Sequence, residues 1–241
     1  MQASDIAVCN HVPFELTAEA VHEVAEVVLR SGLTVRSVNA DVGDLKWPLD
    51  ADGVASRQEH VQRLVELCQA IGSTGLMLPN GAQQHEPIVS LDEDLALVAD
   101  QLSSIQAECV AAGLELWVEA PHFFRLCYDL ERAHALASTL PKDIGLICDV
   151  SHIVASGSTP HQFVNDYQHR IHHVHLRDAE PGYIHHSIGN GEVDLADTAS
   201  ALAEIGYTGK LSLELETRDV DNDERPEAAL KAGCYISSLL Q

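Results

Sequence analysis

Two apolar periods alternate along this chain. Short runs rich in β-branched residues are each followed by a longer stretch in which apolar residues return every three or four positions; these are the signatures of buried strands and of helices packed by one face. The runs fall at residues 5–9, 34–40, 74–78, 114–119, 145–150, 171–176 and 210–214. The first helical stripe, from about Thr17, carries Val21, Val24, Val27 and Val28 and stops at Gly32. Ser56 with Glu59 forms a capping box ahead of Val61, Leu64, Val65, Cys68 and Ile71. Ser90 with Glu93 opens a long stripe through Leu95, Val98, Leu102, Ile105 and Cys109. Further helices are expected over 129–140, from Thr159-Pro160 with proline at the first helical position, from Asp194 to Ile205, and over 226–240.

Unbroken alternation of strand and helix implies α/β architecture with a parallel sheet covered by helices. A (β/α)8 TIM barrel typically takes about 250 residues, and the chain has 241. No low-complexity linker interrupts the pattern, so residues 1–241 are expected to form a single domain. Seven strands are recognisable where a closed barrel has eight, so the first βα unit is expected to be missing. A barrel short of one stave exposes edge strands, which predicts a partner subunit, as a homo-oligomer or a hetero-oligomer.

One stretch departs from the ordinary pattern. Residues 169–178 and 183–189 hold six of the fourteen histidines. Ile171, Val174 and Leu176 interleave with them, which describes a buried strand and the loop leaving it rather than a polar metal-binding tail. Composition narrows the setting. The formal charge of −23 opposes affinity for nucleic acid or an anionic membrane and attracts cations. No apolar run approaches the ~20 residues needed to cross a bilayer, and the N-terminus lacks a basic region and signal core, so the cytoplasm is the expected location. Cys9, Cys68, Cys109, Cys127, Cys148 and Cys234 show no C-x-x-C spacing and read as reduced thiols.

Active-site residues of such barrels lie at the C-terminal ends of strands and in the loops that follow. Those ends carry Asn39, Asp41, Asn80, Glu119, Asp149, His175 and Glu214. By strand parity, Glu119 shares a face with Trp117, Asp149 with Ile147, His175 with His173, and Glu214 with Ser212. Taken singly, Asp149 is as well read as a helix cap and each glutamate as an ion-pair partner. Together, three carboxylates and one imidazole in one barrel mouth would repel without a cation. This oxygen-rich set with one nitrogen suits Mn²⁺ best, with Mg²⁺, Co²⁺ or Zn²⁺ as other candidates.

Leu-Trp-Val-Glu119-Ala-Pro-His, Cys-Asp149-Val-Ser-His152, His173-Val-His175-Leu-Arg-Asp178, Gly-Asn-Gly-Glu-Val-Asp194 and Gly-Tyr-Thr-Gly-Lys-Leu-Ser-Leu-Glu214 resemble the xylose isomerase-like TIM barrels. That superfamily includes ketose 3-epimerases, hydroxypyruvate isomerase and inosose dehydratase. The resemblance runs from about residue 5 to the C-terminus. It implies Glu119, Asp149, His175 and Glu214 as metal ligands, with Glu216 as the rival for the last place, and His152 and Arg177 beside the substrate. The superfamily's apurinic endonucleases carry further zinc ligands where this chain has Leu78 and Tyr183, which, with the acidic charge, argues against DNA repair.

The expected activity is a metal-dependent isomerisation or epimerisation of a sugar, sugar phosphate or keto-sugar, with proton abstraction beside a carbonyl through a stabilised enediolate. Glu119 and Glu214 are the catalytic acid–base candidates. His152, Arg177, His185, Arg218 and His122 are the substrate-binding candidates, with surface roles the alternative for Arg177, Arg218 and His122. His173 is expected to support His175 from beneath, and His169 to face solvent. A lyase on the same scaffold, either a dehydratase or a C-glycoside-cleaving enzyme, and a non-catalytic subunit needing a partner chain are the alternatives.

Overall fold

The computed structural model describes residues 16–81, 84–215 and 217–240. The expected first strand at 5–9, with Cys9, and the rival ligand Glu216 lie outside the described residues. The described residues form two compact units, one of those up to residue 118 together with 135–144, the other of 119–134 together with those from 145 onward.

In the first unit, α1 (Ala18–Ser31) is capped by Thr17, whose hydroxyl accepts the Ala20 N–H, and it ends at Gly32 with φ 68°. The strands β1 (Ser37–Asn39), β2 (Gly75–Pro79) and β3 (Glu115–Glu119) are neighbours in that order. β1 pairs in parallel with β2, Val38 opposite Leu76. Helix α2 (Ala51–Ala70) connects β1 to β2, and α3 (Leu91–Ala111), capped by Ser90, connects β2 to β3. Every residue of β2 is buried, as expected for a parallel strand covered on both faces. Gly75 is required there, because a Cβ would lie 2.5 Å from the Trp117 ring. The capping box at Ser56 and Glu59 does not start α2. Asp50 caps it, accepting the Gly53 N–H, so the helix is already under way when Ser56 is reached.

Helix α4 (Leu130–Thr139) follows β3 and has residues in both units. In the second unit, β4 (Gly145–Asp149) runs directly into the short helix α5 (Val150–Ala155), then α6 (Pro160–Tyr167), β5 (Ile171–Leu176), α7 (Leu195–Glu204), β8 (Leu211–Leu213) and α8 (Arg225–Leu239). β4 pairs in parallel with β5, and β5 with β8. The loop expected after β5 contains an antiparallel hairpin, β6 (Asp178–Glu180) and β7 (Tyr183–His186). Ile147, Cys148, Ile153, Phe163, Val164 and Val174 are fully buried around the three parallel strands. Asp149 faces His175 across the β4–β5 register, and His175 faces Ser212 across the next. Three strand ends are thereby brought to one level.

Of the five described cysteines, Cys68, Cys109, Cys127 and Cys148 are buried free thiols and Cys234 is an exposed one. Burial pushes the Cys68, Cys109 and Cys127 thiols up to about 12, which keeps them protonated and unreactive. Among the described residues no helix is long and apolar enough to cross a membrane.

Candidate metal centre

Asp149 ends β4 and caps α5, and its two oxygens divide these tasks. Oδ1 accepts the backbone N–H of Ser151 (2.8 Å) and of His152 (3.1 Å) and the Ser151 hydroxyl (2.6 Å). Oδ2 is buried with no hydrogen-bond partner and lies 3.5 Å from His175 Nδ1. The same nitrogen is 3.5 Å from Glu119 Oε1 and 3.2 Å from Glu214 Oε1, and it too makes no hydrogen bond. Donors bound to one ion at about 2.1 Å in tetrahedral geometry stand about 3.4 Å apart, close to the spacings found here. Glu119, Asp149 and His175 offer ligand atoms that all lie within 4.8 Å of one another, and with an orphaned oxygen and nitrogen at their focus they fit a divalent cation, while Glu214 approaches the same nitrogen from outside this group.

Electrostatics carries the same message. Burial, the largest influence, pushes the Glu119 carboxyl up to about 7, with Asp149 and Glu214 adding to the rise and His175 opposing it. Burial alone would also raise Asp149, but His152, His175 and Arg177 hold it well below the usual carboxylate range. For His175, burial opposes the charged form, yet Glu214, Asp149 and Glu119 together lift the imidazole well above its ordinary value. A positive charge is therefore favoured at this focus, and a proton on His175 answers that need where no metal is bound.

A second cluster, Glu119, His122 and His152, also has ligand atoms within metal-binding reach. Its hydrogen bonds argue for a different role. His152 Nδ1 accepts the Phe123 N–H at 2.9 Å and His122 Nδ1 accepts the Phe124 N–H at 3.4 Å. Each ring proton then sits on Nε2, which makes that nitrogen a donor rather than a ligand. The two rings stack at 4.0 Å, and burial pushes both imidazoles down, His152 to about 3. They are neutral hydrogen-bond donors.

The model of the family described as xylose isomerase-like TIM barrel matches residues 5–235. The chain belongs to this family. Its fold is accordingly the expected TIM barrel. An inosose dehydratase from Lacticaseibacillus casei is 30% identical over 123 residues, covering 44% of this chain and 41% of that protein. The match therefore spans about two fifths of that curated relative. Among solved structures, 3-keto-D-glucoside 4-epimerase from E. coli superposes with a TM-score of 0.76 at 18% identity, over 95% of this chain and 88% of that one. The IOLI protein, solved with a zinc atom, gives 0.75 at 20% identity, over 94% and 84%.

Within this xylose isomerase-like chain, the second unit brings together most of the residues singled out by sequence. Glu119, Asp149, His175 and Glu214 converge as described. Arg177, for which a surface ion pair was one reading, is 2% exposed. Its Nε and Nη2 donate to the Ser151 hydroxyl (3.1 and 3.0 Å), and Nη1 stands 3.3 Å from Glu214 Oε2. His152 Nε2 lies 3.5 Å from Arg177 Nη2. His185, on β7, is buried and its ring faces those of Phe124 and Tyr183. His173 is fully buried beneath His175 and bonds the Ser212 hydroxyl at 2.9 Å, as its supporting position implies. His169 is exposed. Arg218 is also exposed, and its backbone N–H donates to the His185 carbonyl. Sequence reasoning missed Ser151 and Phe124. Ser151 bridges Asp149 to Arg177 across 26 positions, a link with no local signal, whereas an aromatic pair directly after a predicted strand end was open to notice.

Proposed function

We propose that this chain is a divalent-metal-dependent enzyme that moves a proton beside the carbonyl of a sugar or sugar-derived ketone, as an isomerase or epimerase. The observation that carries the reading is the convergence of Glu119, Asp149 and Glu214 on His175 Nδ1 at 3.2–3.5 Å. These four side chains would hold the ion, with Mn²⁺ the best match to an oxygen-rich set and Zn²⁺ the ion named for a structural neighbour. A bound dication supplies Lewis acidity toward the carbonyl and the neighbouring hydroxyl oxygen.

The chain's own residues account for the rest. Glu119 and Glu214 are the acid–base pair, one taking the proton from carbon and the other returning one. Both are held close to the reacting carbon, which favours transfer through proximity. Arg177 is bonded to Ser151 and faces Glu214, so the second carboxylate is kept in position. The Nε2–H of His152 and an Nη2–H of Arg177 converge from 3.5 Å apart. Two donors so placed favour an acceptor between them, and a substrate oxygen gaining negative charge along the reaction meets that need. His122, stacked on His152 with Nε2 3.7 Å from Glu119 Oε2, extends this donor surface.

A lyase is the second reading, favoured by the similarity to inosose dehydratase. The same base would remove the proton, and a group at the β position would leave. One experiment separates the two: incubation of the Mn²⁺-loaded protein with ketoses and an inosose in deuterated water. Deuterium at the carbon beside the carbonyl in recovered sugar is the expected result. Loss of water from the product would shift the assignment to the lyase, and absence of both would refute the proton-transfer reading.

A further inference from the structure

Ser151 is fully buried in the first turn of α5, and neither metal binding nor proton transfer gives it a direct task. Its hydroxyl makes three contacts, and chemistry fixes the direction of each. A guanidinium has donors only. Arg177 Nε at 3.1 Å and Nη2 at 3.0 Å therefore both donate to the Ser151 oxygen and fill its two lone pairs. The single hydroxyl proton is left for Asp149 Oδ1, which accepts it at 2.6 Å. No other orientation of the hydroxyl satisfies the same partners.

This fixed orientation acts on both neighbours. At Asp149, the hydroxyl proton joins the backbone N–H groups of Ser151 at 2.8 Å and of His152 at 3.1 Å, so Oδ1 holds three donors. Its lone pairs are taken, and the carboxylate is left to meet a cation through Oδ2, the oxygen with no hydrogen-bond partner. At Arg177, two nitrogens gripping one oxygen set the plane of the guanidinium, and the third nitrogen, Nη1, stands 3.3 Å from Glu214 Oε2. Asp149, Ser151, Arg177 and Glu214 thus form one continuous chain of charge-assisted contacts, in which the neutral hydroxyl is the link between a metal-facing carboxylate and an acid–base one.

We infer that Ser151 is a positioning residue that couples Asp149 to Glu214 through Arg177, so that the order of both carboxylates depends on one hydroxyl. The inference rests on the proposed metal-dependent reading of the site, and its test uses Mn²⁺ alone. Affinity is measured on the full, chelator-treated chain by loss of the free-ion electron paramagnetic resonance signal, with circular dichroism showing each variant folded. Ser151→Ala should weaken Mn²⁺ binding about 10-fold, whereas Ser151→Thr, which keeps the hydroxyl, should stay within about threefold of wild type. Coupling is read from a double-mutant cycle with Glu214→Gln. The combined loss should differ from the product of the two single losses by about threefold or more. Wild-type affinity in Ser151→Ala, a folded Ser151→Thr as impaired as Ser151→Ala, or single losses that simply multiply would each overturn the inference. Failure of the wild-type chain to bind Mn²⁺ is a separate result, which would refute the metal centre and this inference with it.

Discussion

At His175, three carboxylates approach one nitrogen, and its neighbours show how buried histidines take opposite roles within one site. His175 is surrounded by acids that favour its charged form. His152 is held neutral by burial, with Arg177 opposing a charge and Asp149 favouring one. The consequence for stability has a definite sign. An ordinary imidazole has a pKa of about 6.5, and burial pushes that of His152 in the folded protein down to about 3. Between those values the unfolded state binds a proton that the folded state does not, so stability is full above about 6.5 and falls as pH drops through the window. His122, lowered for the same leading reason, adds in the same direction. His152→Gln removes one such group. Its urea midpoint should fall less than that of wild type between about pH 7.5 and about pH 5, and an equal fall would contradict the assignment.

Among the elements, the hairpin after β5 shows how a short segment can be fixed by one side chain. Asp178 is 2% exposed and accepts the backbone N–H groups of Ala179, Gly189 and Val193. Gly191 passes so close that a Cβ would collide with the Asp178 carboxylate and the Ala179 backbone. Gly191→Ala should therefore destabilise the protein by about 1–3 kcal/mol and speed amide exchange in residues 178–193; an unchanged urea midpoint would contradict this packing. Such links explain what the sequence left hidden. The caps at Thr17, Ser90, Thr159 and Asp194 were legible because a cap bonds within three residues. The hairpin was not, since Asp178 reaches 11 and 15 positions ahead for Gly189 and Val193. Helix α5 was legible only as the cap reading of Asp149, because Val-Ser-His-Ile-Val-Ala extends the apolar run of β4 and Asp149 serves as strand end and cap together. Glu119, Asp149, His175 and Glu214 were readable because strand parity and position at a strand end are properties of sequence alone. The burial of Arg177 was not, because it depends on Ser151 of α5 and Glu214 just past β8 arriving from elsewhere in the fold.

For the molecule as a whole, an excess of 37 acidic over 14 basic residues creates a field that concentrates cations. Uptake of Mn²⁺ should accordingly weaken as ionic strength rises from about 0.01 M to about 0.15 M, where the screening length falls from about 30 Å to about 8 Å. An affinity independent of salt would show that the global charge plays no part. The site itself asks for a local test. Titration of the purified, chelator-treated chain with Mn²⁺, followed by the loss of the free-ion electron paramagnetic resonance signal, measures stoichiometry and affinity together. One ion per chain is predicted for wild type, with binding weakened at least 100-fold in both Asp149→Asn and His175→Gln while circular dichroism shows each variant folded. Wild-type affinity in either folded variant would contradict the metal centre at the meeting point of Glu119, Asp149, His175 and Glu214.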